Sequence, residues 1–269
     1  MEELIPKILN GDKESLEKLV KDIQGDIFNL SLRFLWVRED AEDATQEILV
    51  KIITNLVKFE GRSRFTTWTY RIAVNHLLNL KKNKLEQQLT FTSFAEDLVN
   101  GIQAQSYDLP DKNLLVEEIK NGCTIGMLIC LSRELRMAYI LGEVFELNSQ
   151  DAAIILMITP ENFRKRLSQA RTTLQAFMKD YCGLVDKTNA CRCHKRIHYA
   201  IKIGRVDKEK LNFVPGNPVI HSTLEMEKLY TTAAIFKMHP YLPITKEKGM
   251  ELLDSITAMS NLFRDNEKK

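Results

Sequence analysis

A chain of 269 residues, 44% hydrophobic and 28% charged, has the composition of an ordinary folded protein and can hold one large domain or two small ones. A formal net charge of +2 excludes a protein that is basic throughout, so any nucleic-acid surface must be local and offset by acidic residues elsewhere. No apolar run is long enough to span a bilayer, and MEELIPKILNG has no signal-peptide character, so the expected location is the cytoplasm. Five cysteines, an odd number, fit thiols or metal ligands better than a disulfide framework.

Helical periodicity starts at once. Residues 3–9 read as a short helix that Gly11 breaks. Asp12 then caps a helix carrying Leu16, Leu19, Val20 and Ile23. Gly25 and Asp26 read as a joint before a third helix with Ile27, Leu30, Leu32, Phe34 and Leu35. Asp40 is the expected cap of a long helix to about Val57, built on Ile48, Leu49, Ile52, Ile53 and Leu56. Its first turns hold Asp40, Glu42, Asp43, Gln46 and Glu47, and carboxylates suit the positive end of a helix dipole.

A polar loop, Glu60-Gly61-Arg62-Ser63-Arg64, precedes a helix expected from near Thr66, with Thr66 or Thr67 as its cap. At helical spacing Phe65, Trp68, Ile72 and Leu78 make an apolar stripe, while Arg71, Asn75, His76 and Asn79 fall on or beside another face. Tyr70 lies near that face. Amides and guanidinium groups read base edges, and aromatic rings stack on bases. An amphipathic helix with a solvated polar side is the plainer alternative.

From Leu85 to Asp111 the pattern fails, and residues 85–111 read as a linker with at most a short helix around Phe94–Val99. Two helical segments around Gly122 follow, then a helix capped by Ser132. Residues 149–171 carry a helix-turn-helix pattern. Ser149 starts its first helix, Thr159 caps its second, and Pro160 takes the first position, where a missing amide is harmless. Phe163, Leu167 and Ala170 should face inward; Arg164, Lys165, Ser168 and Gln169 should face out, as in a recognition helix in the major groove.

The remainder, 182–269, is basic as far as Lys210 and contains Cys182, Cys191, Cys193, His194 and His198. Of these, Cys182, Cys191, Cys193 and His198 offer a donor set compatible with zinc, although Cys-x-Cys is tighter than the usual spacing. Ordinary thiols or a redox-active pair, activated by Arg192, Lys195 and Arg196, are the alternatives. Cys123 and Cys130 read as packing residues. After Pro215–Pro218, two amphipathic helices are expected, roughly Ser222–Met238 and Lys246–Phe263.

Two long ordered stretches carry a family resemblance. Asp40-Ala41-Glu42-Asp43, Gln46 and Glu47, followed by Phe59, Gly61, Ser63, Phe65, Thr67, Trp68, Tyr70, Arg71, Ile72, Ala73 and Asn75, resemble the second conserved region of bacterial sigma factors of the extracytoplasmic-function group. Leu131–Tyr139 and the helix-turn-helix resemble the fourth region, with Met157 where the family has a turn glycine. The resemblance implies an all-α chain: region two over 1–84, a linker over 85–111, region four over 112–181, and a helical C-terminal extension over 182–269.

It also implies a transcription initiation factor rather than an enzyme. Its partners would be core RNA polymerase, promoter DNA and, in this group, an anti-sigma factor. Asp40, Glu42, Asp43, Gln46 and Glu47 would dock on a basic coiled coil of the polymerase largest subunit. Arg62, Ser63, Arg64, Trp68, Tyr70, Arg71, Asn75 and Asn79 would recognise and melt the −10 element. Arg164, Lys165, Ser168, Gln169 and Arg171 would hold the −35 element as duplex. Rival readings are a stand-alone helix-turn-helix regulator and a metal or redox sensor acting through the extension.

Overall fold

The structure, a computed structural model, describes residues 1–102, 107, 110–214, 231–237 and 240–265. In chain order its helices are α1 (Ile5–Leu9), α2 (Lys13–Leu35), α3 (Arg38–Thr54), α4 (Phe65–Asn79), α5 (Lys84–Gln88), α6 (Phe91–Asn100) and α7 (Lys112–Ile129). There follow α8 (Arg133–Tyr139), α9 (Ser149–Leu156), α10 (Pro160–Tyr181), α11 (Ile197–Lys202), α12 (Thr232–Lys237) and α13 (Lys246–Asp265). Among the described residues every regular element is helical, so the chain is all-α, and no helix is long and apolar enough to cross a membrane. The expected break at Pro215–Pro218 and the start of the helix expected from Ser222 lie outside the described residues.

Two compact units form. The first comprises Met1–Leu80, Ala153–Thr159 and Leu242–Lys269; the second comprises Lys81–Ala152 and Pro160–Tyr241.

In the first unit α2 packs on α3, and α4 on both. Asp12 caps α2 as expected, accepting from the Glu14 amide at 3.2 Å. The joint expected at Gly25 is absent: α2 runs through it, with Ile23 and Ile27 both buried. One helical glycine costs about 1 kcal/mol against alanine, less than burying two isoleucines returns. Helix α3 begins at Arg38, so Asp40 is not its cap; Val37 holds that position without a side-chain hydrogen bond. Helix α4 begins at Phe65 rather than Thr66. Its first amide donates to the Glu2 carboxylate at 2.8 Å, so a distant residue replaces the local threonine cap.

In the second unit the expected linker is largely structured. Helix α6 buries Phe94 and Leu98, and Phe91 and Phe94 meet Phe177 of α10 at ring distances of 5.0 and 5.9 Å. Glu86 of α5 is held by Arg133 at 2.5 and 2.7 Å and by Arg136 at 3.0 Å. Arg136 is buried, and it also donates to the carbonyls of Leu128, Ile129 and Leu131 around the end of α7. Asp97 of α6 is clasped in the same way by Arg196 at 2.6 Å and Arg205 at 2.7 Å.

Helix α7 is one helix, not two around Gly122. The missing side chain admits the Phe213 ring: a Cβ there would lie 3.1 Å from it. Glu118 accepts from the amides of Asn212 and Phe213, both at 2.8 Å, and Asn121 donates to the Phe213 carbonyl at 2.9 Å. Beside this, Tyr107, Leu115, Val116, Ile119, Ile197, Ala200 and Val206 form one core. The first part of the extension expected from residue 182 therefore shares a core with α7.

The buried carboxylates make the second unit acid-sensitive. Burial alone would raise the Glu86 and Asp97 pKa values, but the hydrogen bonds and charges of their arginines outweigh it and hold both carboxyls below their ordinary 4.5 and 3.8. Groups with depressed folded-state pKa values bind fewer protons folded than unfolded. Their stabilisation is complete above the unfolded values and is lost as pH falls through the folded ones. The urea midpoint should therefore drop as pH falls below 4.5. Glu86→Ala should cost about 3 kcal/mol at neutral pH, because it strands two guanidinium groups, and it should flatten the acid dependence.

Candidate nucleic-acid interface

The acidic turns of α3 divide by burial. Asp40, Asp43 and Glu47 are exposed, Gln46 is half-buried, and Glu42 is buried. Glu42 turns to Arg38 one turn earlier, at 3.2 Å. The exposed carboxylates of these turns are thus those of Asp40, Asp43 and Glu47.

Helix α4 is anchored by an aromatic cluster. Phe65 stacks on Trp68 at 5.7 Å, and Phe59 meets both rings edge-on at 5.2 and 5.5 Å. Trp68 is therefore half-buried and mainly positions the helix. Ser63 and Tyr70 are half-buried; Arg62, Arg64 and Arg71 are exposed, with Arg62 paired to Glu60. Farther along, Asn75 and Asn79 line an open pocket of roughly 510 Å³ with Lys51, Asn55, Ile72, His76 and Leu80. Asn79 donates to the Asn75 carbonyl at 2.8 Å, which fixes its amide at the rim.

Sequence reasoning placed His76 on this polar face, yet it is buried, and it left out Lys51 and Asn55. Lys51 lies in the last turn of α3 and Asn55 caps its end, and only the packing of α3 on α4 brings them to the pocket. Lys51 Nζ lies 2.5 Å from His76 Nδ1, and Glu47 lies 3.7 Å from Nε2. Burial first, then the Lys51 charge, pushes the His76 pKa below its ordinary 6.5, against the pull of Glu47. The ring is neutral at pH 7, so Lys51 donates to Nδ1 and Nε2 carries the hydrogen.

Asn148 caps α9, accepting from the amides of Gln150 and Asp151 at 3.0 and 2.9 Å. Helix α10 starts at Pro160 as expected and buries Phe163, Leu167 and Ala170. Leu167 and Phe163 rest on Gly142, where a Cβ would meet Leu167 at 2.7 Å. Arg164, Lys165, Ser168 and Gln169 are exposed along one face. Arg171 differs from them: its guanidinium is paired with the buried Glu143, with Nε at 2.6 Å. Between α9 and α10, Met157 takes φ +53°, the left-handed geometry a turn glycine would adopt without strain.

Comparison with known proteins places these features. Residues 19–85 match the family model described as Sigma-70 region 2. The RNA polymerase sigma-H factor of Pseudomonas aeruginosa is 29% identical over 178 residues, covering 64% of this chain and 91% of that protein. The ECF RNA polymerase sigma-E factor of Haemophilus influenzae is 29% identical over 175 residues, covering 64% and 92%. Over 64% of its length the chain is thus similar to RNA polymerase sigma factors, one of them named as of the ECF group. A solved structure titled CnrH in complex with the cytosolic domain of CnrY matches 66% of this chain and 96% of its own, with a TM-score of 0.47 and 17% identity.

The expected zinc donors Cys182, Cys191, Cys193 and His198 all lie in the second unit. Among the described residues no three His, Cys, Asp or Glu side chains are arranged to hold a metal ion. His198 stands edge-on to Tyr107 at 5.2 Å. Cys182, Cys191 and Cys193 gather instead with Cys123, close enough to raise one another's pKa. Burial is the larger cause, pushing Cys191 up to about 11 and Cys193 well above its ordinary value. It outweighs Arg192 and Arg196, so these sulfurs are neutral thiols rather than activated thiolates. Cys123 joins them through the docking of the extension on α7, which no local spacing could signal.

Two measurements check this geometry. Imidazole NMR should place the His76 midpoint below 6.5, and Lys51→Met should move it upward. Met157→Gly should stabilise the chain by about 0.5–1 kcal/mol in urea, because relief of left-handed strain exceeds glycine's extra unfolded-state freedom.

Proposed function

We propose that this chain is a sigma factor that binds core RNA polymerase through the exposed carboxylates at the start of α3 and directs it to promoter DNA. In this reading α4 opens the −10 element and α10 reads the −35 element. The observation that supports it best is the open pocket beside α4, which Asn55, Asn75 and Asn79 line together with Lys51. Extruding a base costs a few kcal/mol. Hydrogen bonds from these amides offset that cost, while the exposed Arg62, Arg64 and Arg71 hold phosphates.

On α10 the exposed run Arg164, Lys165, Ser168 and Gln169 presents charge and hydrogen-bonding groups in the manner of a recognition helix. Arg171, tied to Glu143, serves in this reading to position α10 rather than to read bases. An anti-sigma partner would compete for these surfaces. Bond-making chemistry belongs to the polymerase, and none is assigned to this chain. A stand-alone regulator would need the helix-turn-helix but not a base-sized pocket on another helix.

Asp40→Lys with Asp43→Lys should abolish holoenzyme assembly with circular dichroism unchanged. Assembly at unaltered affinity would remove the docking role. Asn75→Ala should slow open-complex formation on duplex promoters far more than on a pre-melted template, whereas Arg164→Ala should weaken upstream binding and leave melting intact. Equal losses on both templates for Asn75→Ala would remove the extruded-base role.

A further inference from the structure

The chain from Leu242 onward belongs to the first unit, and it is recognised there by buried polar groups. Asn29, 1% exposed in the middle of α2, holds the backbone of Leu242 from both directions. Its side-chain oxygen accepts from the Leu242 amide at 3.0 Å, and its nitrogen donates to the Leu242 carbonyl at 2.8 Å. Arg33 donates to the same oxygen at 2.9 Å, which fixes the amide in that orientation. Arg38 then donates to the Pro243 carbonyl at 2.7 Å.

The next contacts fall on the acidic turns of α3. The Thr245 amide donates to the Glu42 carboxylate at 3.4 Å, and the Lys248 ammonium stands 3.5 Å from Asp43. Helix α13 continues across α2 and α3 with Leu252 and Ile256 fully buried. The rim pair Lys248–Asp43 is exposed and adds little by itself. The buried contacts set the register, because a displaced segment would take the Leu242 amide and carbonyl away from Asn29, which would keep only Gly25 and Arg33.

We propose that residues 242–256 are an intramolecular competitor for the polymerase-docking surface of α3. The inference rests on the docking assigned above. The segment meets that surface at Asp43, where it places an ammonium, and it lays an apolar helix across α2 and α3 beside it, while the main-chain donor to the buried Glu42 holds it there. One surface cannot hold both, so polymerase binds only the fraction of molecules whose segment has lifted. Apparent affinity is reduced by that fraction. A segment that lifts one time in ten weakens binding about tenfold.

The test uses the full chain. Leu252→Asp with Ile256→Asp should detach α13 and strengthen binding to core polymerase about tenfold, read by fluorescence anisotropy, if the segment lifts one time in ten. Unchanged or weaker binding by a variant with wild-type circular dichroism would overturn the proposal while leaving docking on α3 intact. If neither chain binds core polymerase, the docking assignment fails and this proposal fails with it. Hydrogen exchange on the unmodified chain gives a second readout that no folding defect can blur. Amides of 242–256, that of Leu242 first, should lose protection when core polymerase is added. Protection retained in the assembled holoenzyme would overturn the proposal.

Discussion

Two carboxylates enclosed by guanidinium pairs hold the second unit together. Glu86 sits between Arg133 and Arg136, and Asp97 between Arg196 and Arg205. A charge taken out of water must be matched in full, and arginine does this with several donors in a fixed plane. Each cage joins pieces distant in sequence. Glu86 brings α5 to the α7–α8 corner, and Asp97 brings α6 to α11 and the turn after it. Arg136 in addition closes the last carbonyls of α7. The orientation of α8, and through it of α10, therefore depends on a stretch outside the candidate interface.

That dependence explains which parts of the fold could be read in the sequence. Helices with an apolar stripe and a local signal were legible: Asp12 before α2, Ser132 before α8 and Pro160 at the start of α10 all act as their residue types suggest. Where the decisive partner is remote, local signals misled. Phe65 takes Glu2 as its cap acceptor, Gly122 serves a ring from residue 213, and the polar stretch after Leu85 is ordered by arginines that follow it in sequence. Residue type alone suggests a threonine cap at the first of these places, a break between helices at the second and a linker at the third.

The candidate site divides in the same way. The exposed faces of α4 and α10 follow from helical spacing, so Asn75, Asn79, Arg164 and Gln169 fall where expected. Charged residues with a structural task do not stand apart in a sequence. Glu42 and Arg171 resemble their exposed neighbours in type and spacing, yet one is buried on Arg38 and the other is tied to Glu143. Lys51 and Asn55 enter the pocket only once α3 has packed on α4. The cysteines carry a related lesson: adjacent cations suggested reactive thiolates, but burial has the larger effect.

Gly142 has a genetic consequence. Leu167 and Phe163 of α10 rest on bare backbone at that position, with no room for even a methyl group. Any other residue there would displace the ends of Leu167 and Phe163 and disturb the seating of α10, which carries Arg164, Lys165, Ser168 and Gln169. Among random mutants selected for loss of promoter recognition, changes at Gly142 would recur beside changes in the exposed residues of α10. Compensating mutations would appear as smaller side chains at 163 or 167 rather than as new contacts to bases.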